Sequence, residues 1–343
     1  MNAQPHYNDA PYTILIFIIM ITLSFGRYSH LLLTGMGKNS LWLPGIVFLF
    51  VLLGIRLTLA TKKNDNHPYF KLLAPIHDSI IFLYFFGLTF YFTIVNADFY
   101  SNVFRMGNPS GMFYLGITFT ILFALFPLKA HARYAKVSLI FLLPIFILIL
   151  FLQFFNTNWL WIFPIINIDE IKTPITSIAS VFYVFAPIVS LQLINAYNPN
   201  VKKVTLTVFI TTIFIILLTY LSIATFGIEY SKKLIYVTYS GLNTIRLERF
   251  MFERIIFVPL LIFNFFQILT GAFFLRFCSL YLSKVLRTQF NKFLIISNGL
   301  LILLISKINM SPFYVDKLLI ILGICTFYLI NIKPILILLI SKR

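Results

Sequence analysis

The chain has 343 residues, of which 60% are hydrophobic and only 11% charged, whereas a globular domain carries roughly a quarter charged residues. A water-soluble fold of this size needs far more polar surface to cover its core, so the composition excludes one. Lys and Arg number 27 against 10 Asp and Glu, a formal charge of +17, yet these basic residues fall between apolar runs, where they meet anionic lipid headgroups rather than nucleic acid.

A bilayer core about 30 Å thick takes roughly 20 apolar residues in a helix. Runs of that kind, bounded by polar punctuation, predict an all-α polytopic membrane protein with about ten transmembrane helices in a single domain. The first five expected spans are residues 12–34, 41–61, 79–98, 112–128 and 137–155. The second five are 175–194, 204–226, 254–282, 293–307 and 318–340. Residues 1–11 contain no Lys or Arg, so the first run lacks the basic start of a secretory signal and is expected to stay as a span. The polar run Lys62-Lys63-Asn64-Asp65-Asn66-His67-Pro68 and the cluster from Asn195 to Asn200 belong at the water interface. Residues 227–253 form a longer connection, in which 242–252 is either a short interfacial helix or an irregular loop.

Cationic residues set the orientation. With the N-terminus in the cytoplasm, the inner connections hold Arg56, Lys62, Lys63 and Lys71, then Lys129, Arg133 and Lys136, then Lys202 and Lys203, then Lys284, Arg287 and Lys292, and finally Lys342 and Arg343. The basic connection with Lys232, Lys233, Arg246 and Arg249 falls outside and is long enough to count less. Both termini are therefore expected to be cytoplasmic.

Ten spans with both ends on one side accommodate two five-span halves of inverted topology, residues 12–155 and 175–340, as in leucine-transporter-like secondary transporters. That arrangement interrupts the first helix of each half, spans 1 and 6, near the midplane. Ser24-Phe25-Gly26 supplies a breaker in the first span and Phe185-Ala186-Pro187 one in the sixth. Glycine loosens the helix, and proline removes a donor and clashes with the preceding turn. Packing or kinking alone is the plainer explanation of either residue. Broken there, half-helix ends and freed backbone groups suit both ends of a zwitterionic amino acid. Candidate ligand-binding residues are accordingly Ser24, Phe25, Gly26 and Arg27, with Tyr91 and Phe92 of the third span and Tyr183, Phe185, Ala186 and Pro187 of the sixth.

Charge inside the membrane is costly and marks candidates. Arg27 is placed either to meet a ligand carboxylate or to pair with an acid or a headgroup. Asp98 reads as a solvated helix-end carboxylate or a partner of Arg105, and Arg276 as a side chain snorkelling towards the cytoplasm. Glu253, Arg254 and Lys333 are structural or coupling candidates, Glu253 because an acid suits a helix N-terminus. Lys333, between Asn331 and Pro334, has no partner legible in the sequence. His77-Asp78 reads as a solvated interfacial pair, and Cys278 and Cys325 as core or lipid-facing thiols. No zinc-protease, phosphate-loop or serine-elbow motif occurs, so neither catalysis, nor a metal, nor a cofactor is expected.

Three stretches resemble the B-subunit family of bacterial spore germinant receptors, a branch of the amino acid-polyamine-organocation transporter superfamily. They are the connector Lys129-Ala130-His131-Ala132-Arg133-Tyr134-Ala135; the sixth span Val181-Phe182-Tyr183-Val184-Phe185-Ala186-Pro187 with the turn Asn198-Pro199-Asn200-Val201-Lys202-Lys203; and Tyr236-Val237-Thr238-Tyr239-Ser240-Gly241-Leu242 running on to Phe252-Glu253-Arg254. The similarity extends along nearly the whole chain in span order. It departs from the family's glycine-rich first break, since Gly26 stands alone before Arg27. The resemblance implies a nutrient-sensing subunit of the spore inner membrane that binds a small germinant, commonly an amino acid, beside an A subunit and a lipoprotein C subunit. An active amino acid or amine permease coupled to protons or sodium is the alternative, and a structural subunit without a ligand site a third reading.

Overall fold

A computed structural model describes residues 9–61, 68–104, 109–155, 157–163, 167–192, 201–242, 257–305 and 311–341. Every element among them is helical. The first half begins with α1 (Asp9–Ser24), α2 (Tyr28–Met36), a 3-10 turn (Gly37–Leu41) and α3 (Leu43–Thr61), followed by α4 (Pro68–Phe104), α5 (Pro109–Ala124) and α6 (Leu128–Phe155). Two 3-10 turns, Trp159–Ile162 and Ile168–Glu170, lead to α7 (Pro174–Val184) and its 3-10 continuation Ala186–Gln192. After α8 (Val201–Phe226) come the short α9 (Ile228–Ser231) and α10 (Val237–Leu242), then α11 (Phe257–Val285) and α12 (Lys292–Ile305). The last segment is α13 (Pro312–Phe327), a π-helical turn (Tyr328–Ile332) and α14 (Lys333–Ser341).

Each expected span coincides with a helical segment, but fewer meet the demands of a straight crossing. Among the described residues five helices are long and apolar enough, and seven if each of two bent pairs is one span. The bent pairs are Tyr12–Ser24 with Tyr28–Leu41, at 57°, and Tyr114–Ala124 with Leu128–Phe141, at 114°. Pro174–Val184 and Lys292–Ile305 are apolar but shorter. The described helices thus support five to seven membrane-capable spans of the ten expected. The third span is also longer than expected: α4 has 37 residues, about 55 Å at 1.5 Å per residue, well beyond the hydrocarbon thickness.

The basic stretch Lys129–Ala135, expected as a connector, is the first two turns of α6. Pro127 opens the helix, its carbonyl accepting from Ala130 N (2.8 Å) and His131 N (3.3 Å), and the alanines favour helix. His131 is fully buried with its ring stacked on Phe123, centroids 5.6 Å apart, and its Nε2 2.8 Å from the Phe123 carbonyl oxygen. Arg276 reaches the bend between α5 and α6. Its Nη1 donates to the carbonyls of Ala124 (3.0 Å) and Phe126 (2.7 Å), which the end of α5 leaves without intrahelical donors.

The core runs along the middle of the bundle, where α4 lies against α11 and α7 is held between α2 and α13. Its largest fully buried side chains include Tyr28, Phe85, Tyr91, Phe182, Tyr183, Phe185, Phe273 and Phe274. Outward faces carry large apolar groups such as Leu49, Phe141, Phe155 and Phe293. With no water to contact, such faces are stable against lipid, and helices leave no backbone group unpaired there.

Candidate functional site

The first span breaks where the sequence loosens it. Ser24 turns its hydroxyl back on the Ile21 carbonyl (2.6 Å), and Phe25 N and Gly26 N close tight turns on Thr22 O (3.3 Å) and Leu23 O (3.1 Å). These bonds reach back three residues instead of four and overwind the chain, as side-chain-to-backbone competition does in helices. A Cβ at position 26 would lie 3.2 Å from the Leu23 carbonyl oxygen, so glycine fits this bend without crowding. Arg27 then takes the N-cap position of α2 with no side-chain cap.

The sixth span loses its α-helical winding at Phe185, whose N–H bonds to Phe182 O at 3.0 Å. Pro187 explains the position, because its ring crowds the carbonyl one turn earlier and it offers no donor. Near its start α7 is tied to α2: Ser177 Oγ donates to Leu31 O (3.2 Å), and Lys172 N and Thr173 N donate to Gly35 O at 2.8 and 3.1 Å.

Between the first break and α4 lies a cavity of about 20 Å³, space for little more than one water molecule. The first span contributes Thr22, Leu23, Phe25 and Gly26, and α4 contributes Tyr91, Phe92, Val95, Asn96 and Phe99. Tyr183, Tyr236 and Gln267 close the remaining sides. Tyr91 and Tyr183 meet edge to face, 5.2 Å between centroids. The Tyr91 hydroxyl is buried and has no hydrogen-bond partner among the described residues, an arrangement costing about 1–3 kcal/mol.

A buried ionic cluster adjoins this cavity. Arg27, 3% exposed, reaches Asp98 Oδ2 through Nη1 (3.4 Å) and Asp316 Oδ1 through Nη2 (3.0 Å), the latter also accepting from Nε at 3.0 Å. The Tyr236 hydroxyl donates to Asp98 Oδ2 at 2.7 Å and lies 3.1 Å from the Val95 carbonyl oxygen. Burial and the neighbouring Asp98 carboxylate hold the Tyr236 phenol well above its ordinary range, so it remains a donor. One guanidinium thus joins α2 to α4 and α13, with the α9–α10 connection added through Tyr236.

Of the expected ligand residues, Phe25, Gly26, Tyr91, Phe92 and Tyr183 come together at the cavity. Ser24 helps make the break, Arg27 pairs with acids beside the cavity, and Phe185, Ala186 and Pro187 are not among its lining residues. Asp98 is engaged by Arg27 and Tyr236, which corrects its reading as a solvated terminus. Arg105, Glu253 and Arg254 lie outside the described residues. Lys333 opens α14 directly after the π-helical turn. Asp316, Tyr236, Asn96 and Gln267 were not singled out by the sequence as site residues. A signal existed for Asp316, the sole acid of an apolar helix that Ser311-Pro312 announces. Among the described residues no group of three His, Cys, Asp or Glu side chains converges on a possible metal position.

Composition and fold together define a membrane-embedded α-helical protein with an interrupted first helix and a charge-paired cluster beside an aromatic cavity. Comparison of the chain with protein-family models and with curated proteins finds no match to either.

Proposed function

We propose that the chain is a transporter-like receptor subunit that binds a small germinant, an amino acid being the class best suited, at the cavity beside the Gly26 break, which has to widen from about one water's volume to admit it. The observation that carries this reading is the coincidence of an interrupted helix, an aromatic-lined cavity and a buried phenol without a hydrogen-bond partner among the described residues. Each has a plain packing explanation alone; together they describe a polar-tipped pocket in the middle of a lipid-facing bundle, where ligand sites of such bundles form.

Helix pairing supports an inverted repeat. Exchanging the two halves turns the contact of α1 with α6 into that of α7 with α13, and the contact of α4 with α13 into that of α11 with α6. The contact of α2 with α7 exchanges onto that of α1 with the 3-10 continuation of α7, and those of α3 with α8 and α4 with α11 exchange onto themselves. The packing of α5 on α11, of α1 on α11 and of α3 on the last span lacks a comparable counterpart from α12 on α4, α7 on α4 and α8 on α6, so the halves differ there. The assignment to germination, to the spore inner membrane and to A and C partner subunits rests on the resemblance of the three stretches named above.

Two substitutions test the site. Gly26→Val crowds the break, and Val95→Phe fills the cavity with a ring. Each is expected to weaken germinant response or solute binding about tenfold or more while membrane abundance stays constant. An unchanged dose response in both variants, at normal abundance, sinks the site.

A permease is the second reading, favoured by one observation. Arg27, beside the cavity, pairs with acids on two other helices, a contact between spans that a moving gate can break and remake. Counterflow of labelled alanine in proteoliposomes distinguishes it, since a sensor without transport shows none.

A further inference from the structure

The connection that follows α6 turns large apolar side chains outwards after the chain has left its span. Asn158 starts it. Its N–H bonds to Ala224 O near the end of α8 (2.9 Å), and its side chain accepts from Leu160 N (3.1 Å), capping the 3-10 turn Trp159–Ile162. Ile162 points inwards, 1% exposed, and packs with Leu33, Leu41, Ile223 and Val237. With three residues per turn, Leu160 and Phe163 share another face, 78% and 62% exposed, beside the half-exposed ring of Trp161.

The lengths of α6 and α8 set the level of this turn. They have 28 and 26 residues, about 42 and 39 Å at 1.5 Å per residue, more than the roughly 30 Å of hydrocarbon. Shared between both ends, the excess carries Phe155 and Phe226, and with them the turn, to the headgroup boundary. The outward face is continuous with one that lies in lipid: Phe151, Phe154 and Phe155 at the end of α6 are exposed, and the Phe154 ring lies against Trp159, 4.3 Å between centroids. Cations accompany it, since Lys38 Nζ donates to the Phe163 carbonyl and Lys172 is exposed. An apolar face with an indole and flanking lysines matches the boundary between acyl chains and anionic headgroups.

We propose that the turn Trp159–Ile162 with Phe163 is an interfacial anchor: Leu160, Trp161 and Phe163 enter the headgroup and upper acyl region of the leaflet in which α6 ends, and the partner is the phospholipid surface. The anchor bears on the first span. Beyond it Asn167 N donates to Asn39 Oδ1 (3.2 Å), the Glu170 carboxylate accepts from Lys38 N (2.7 Å), and Lys172 N donates to Gly35 O (2.8 Å). Gly37, at φ +56°, leaves the space that this carboxylate fills. The bilayer surface thereby holds α2, the second half of the broken helix, whatever the cavity takes.

The test uses full-length protein in vesicles of phosphatidylcholine and phosphatidylglycerol, with Trp42→Phe and Trp159→Phe leaving Trp161 as the reporter among three tryptophans. Bromine on the upper acyl chain is expected to quench Trp161 at least ~2-fold, bromine near the chain end less, and aqueous iodide little. Leu160→Gln with Phe163→Gln removes most of the inserted apolar area and is expected to weaken the bromolipid quenching and admit iodide. A nitroxide on Leu160→Cys, with Cys278→Ala and Cys325→Ala, spares the tryptophans and decides alone if Trp159→Phe disturbs folding; it is expected to collide more often with oxygen than with a water-soluble nickel complex. Iodide quenching without bromolipid quenching, or a nitroxide more open to nickel than to oxygen, leaves the face in water and free for a protein, and overturns the anchor. Quenching strongest from the deep bromine overturns it too, because the turn then lies inside the hydrocarbon.

Discussion

Arg27 is the residue on which the most structure converges. It is almost wholly buried, while Asp98 and Asp316 keep 35% and 23% of their side chains exposed. The cation therefore depends on the acids more than either acid depends on it. Removing one carboxylate leaves the guanidinium paired with the other, so Asp98→Asn or Asp316→Asn alone is expected to cost about 1 kcal/mol in this partly solvated cluster. Removing both strands a buried cation, and the double variant is expected to lose at least ~3 kcal/mol, more than the sum of the singles. Thermal unfolding of the detergent-solubilised protein checks this; strictly additive losses show that the three groups do not act as a unit. The same cluster explains why the sequence alone leaves Arg27 between ligand and acid: a single chain does not reveal that residues 71 and 289 positions away meet it.

At the scale of the element, α7 is the segment held most tightly from both sides. Gly323 of α13 brings that helix so close that a Cβ there would lie 1.9 Å from the Ala179 carbonyl oxygen, a backbone atom with nowhere to move. Gly323→Ala is expected to destabilise the protein by about 3 kcal/mol. Gly116 of α5 has open space around its Cβ position, so Gly116→Ala is expected to leave the unfolding midpoint unchanged or slightly raised. Similar shifts in the two variants remove close approach as the reason for glycine at 323. The breaks themselves were legible, because Ser24-Phe25-Gly26 and Pro187 change local winding through their own chemistry, and the Pro187 effect surfaces at Phe185 within the turn before it. Less legible were the helix starts. Expecting the last span to begin at residue 318 left Asp316 outside it, although Ser311-Pro312 marks a helix N-terminus. The start of α6 was hidden by its charge, since Lys129 and Arg133 look like a loop until His131 is seen buried between them. Cavity membership of Asn96 and Gln267 depends on how α4 and α11 are rotated against each other, which apolar periodicity fixes poorly when helices are apolar all round.

The whole molecule makes a claim about sidedness that its parts do not. The Arg27 cluster, the Tyr236 turn and the strap formed by Glu170 on Lys38 N (2.7 Å) and Lys172 N on Gly35 O (2.8 Å) belong to one end of the bundle, whereas Lys129 lies at the bend between α5 and α6. If the connections richest in lysine and arginine face the cytoplasm, the cluster closes the cavity towards the outside and a solute arrives from there. Ten helical segments with the N-terminus inside place Glu229, after the seventh, outside and Lys129, between the fourth and fifth, inside. Glu229 is exposed on the short α9 and, among the described residues, paired with Lys232 of the same turn (2.7 Å), so its replacement by cysteine disturbs little. In a background with Cys278 and Cys325 replaced by alanine, Glu229→Cys is expected to react with a membrane-impermeant maleimide on intact cells, and Lys129→Cys only after permeabilisation. The opposite pattern inverts the protein and turns the cluster into an inner closure. Labelling of both from the same side breaks the parity of the segments, and with it the two-halved topology from which the paired helix breaks take their meaning.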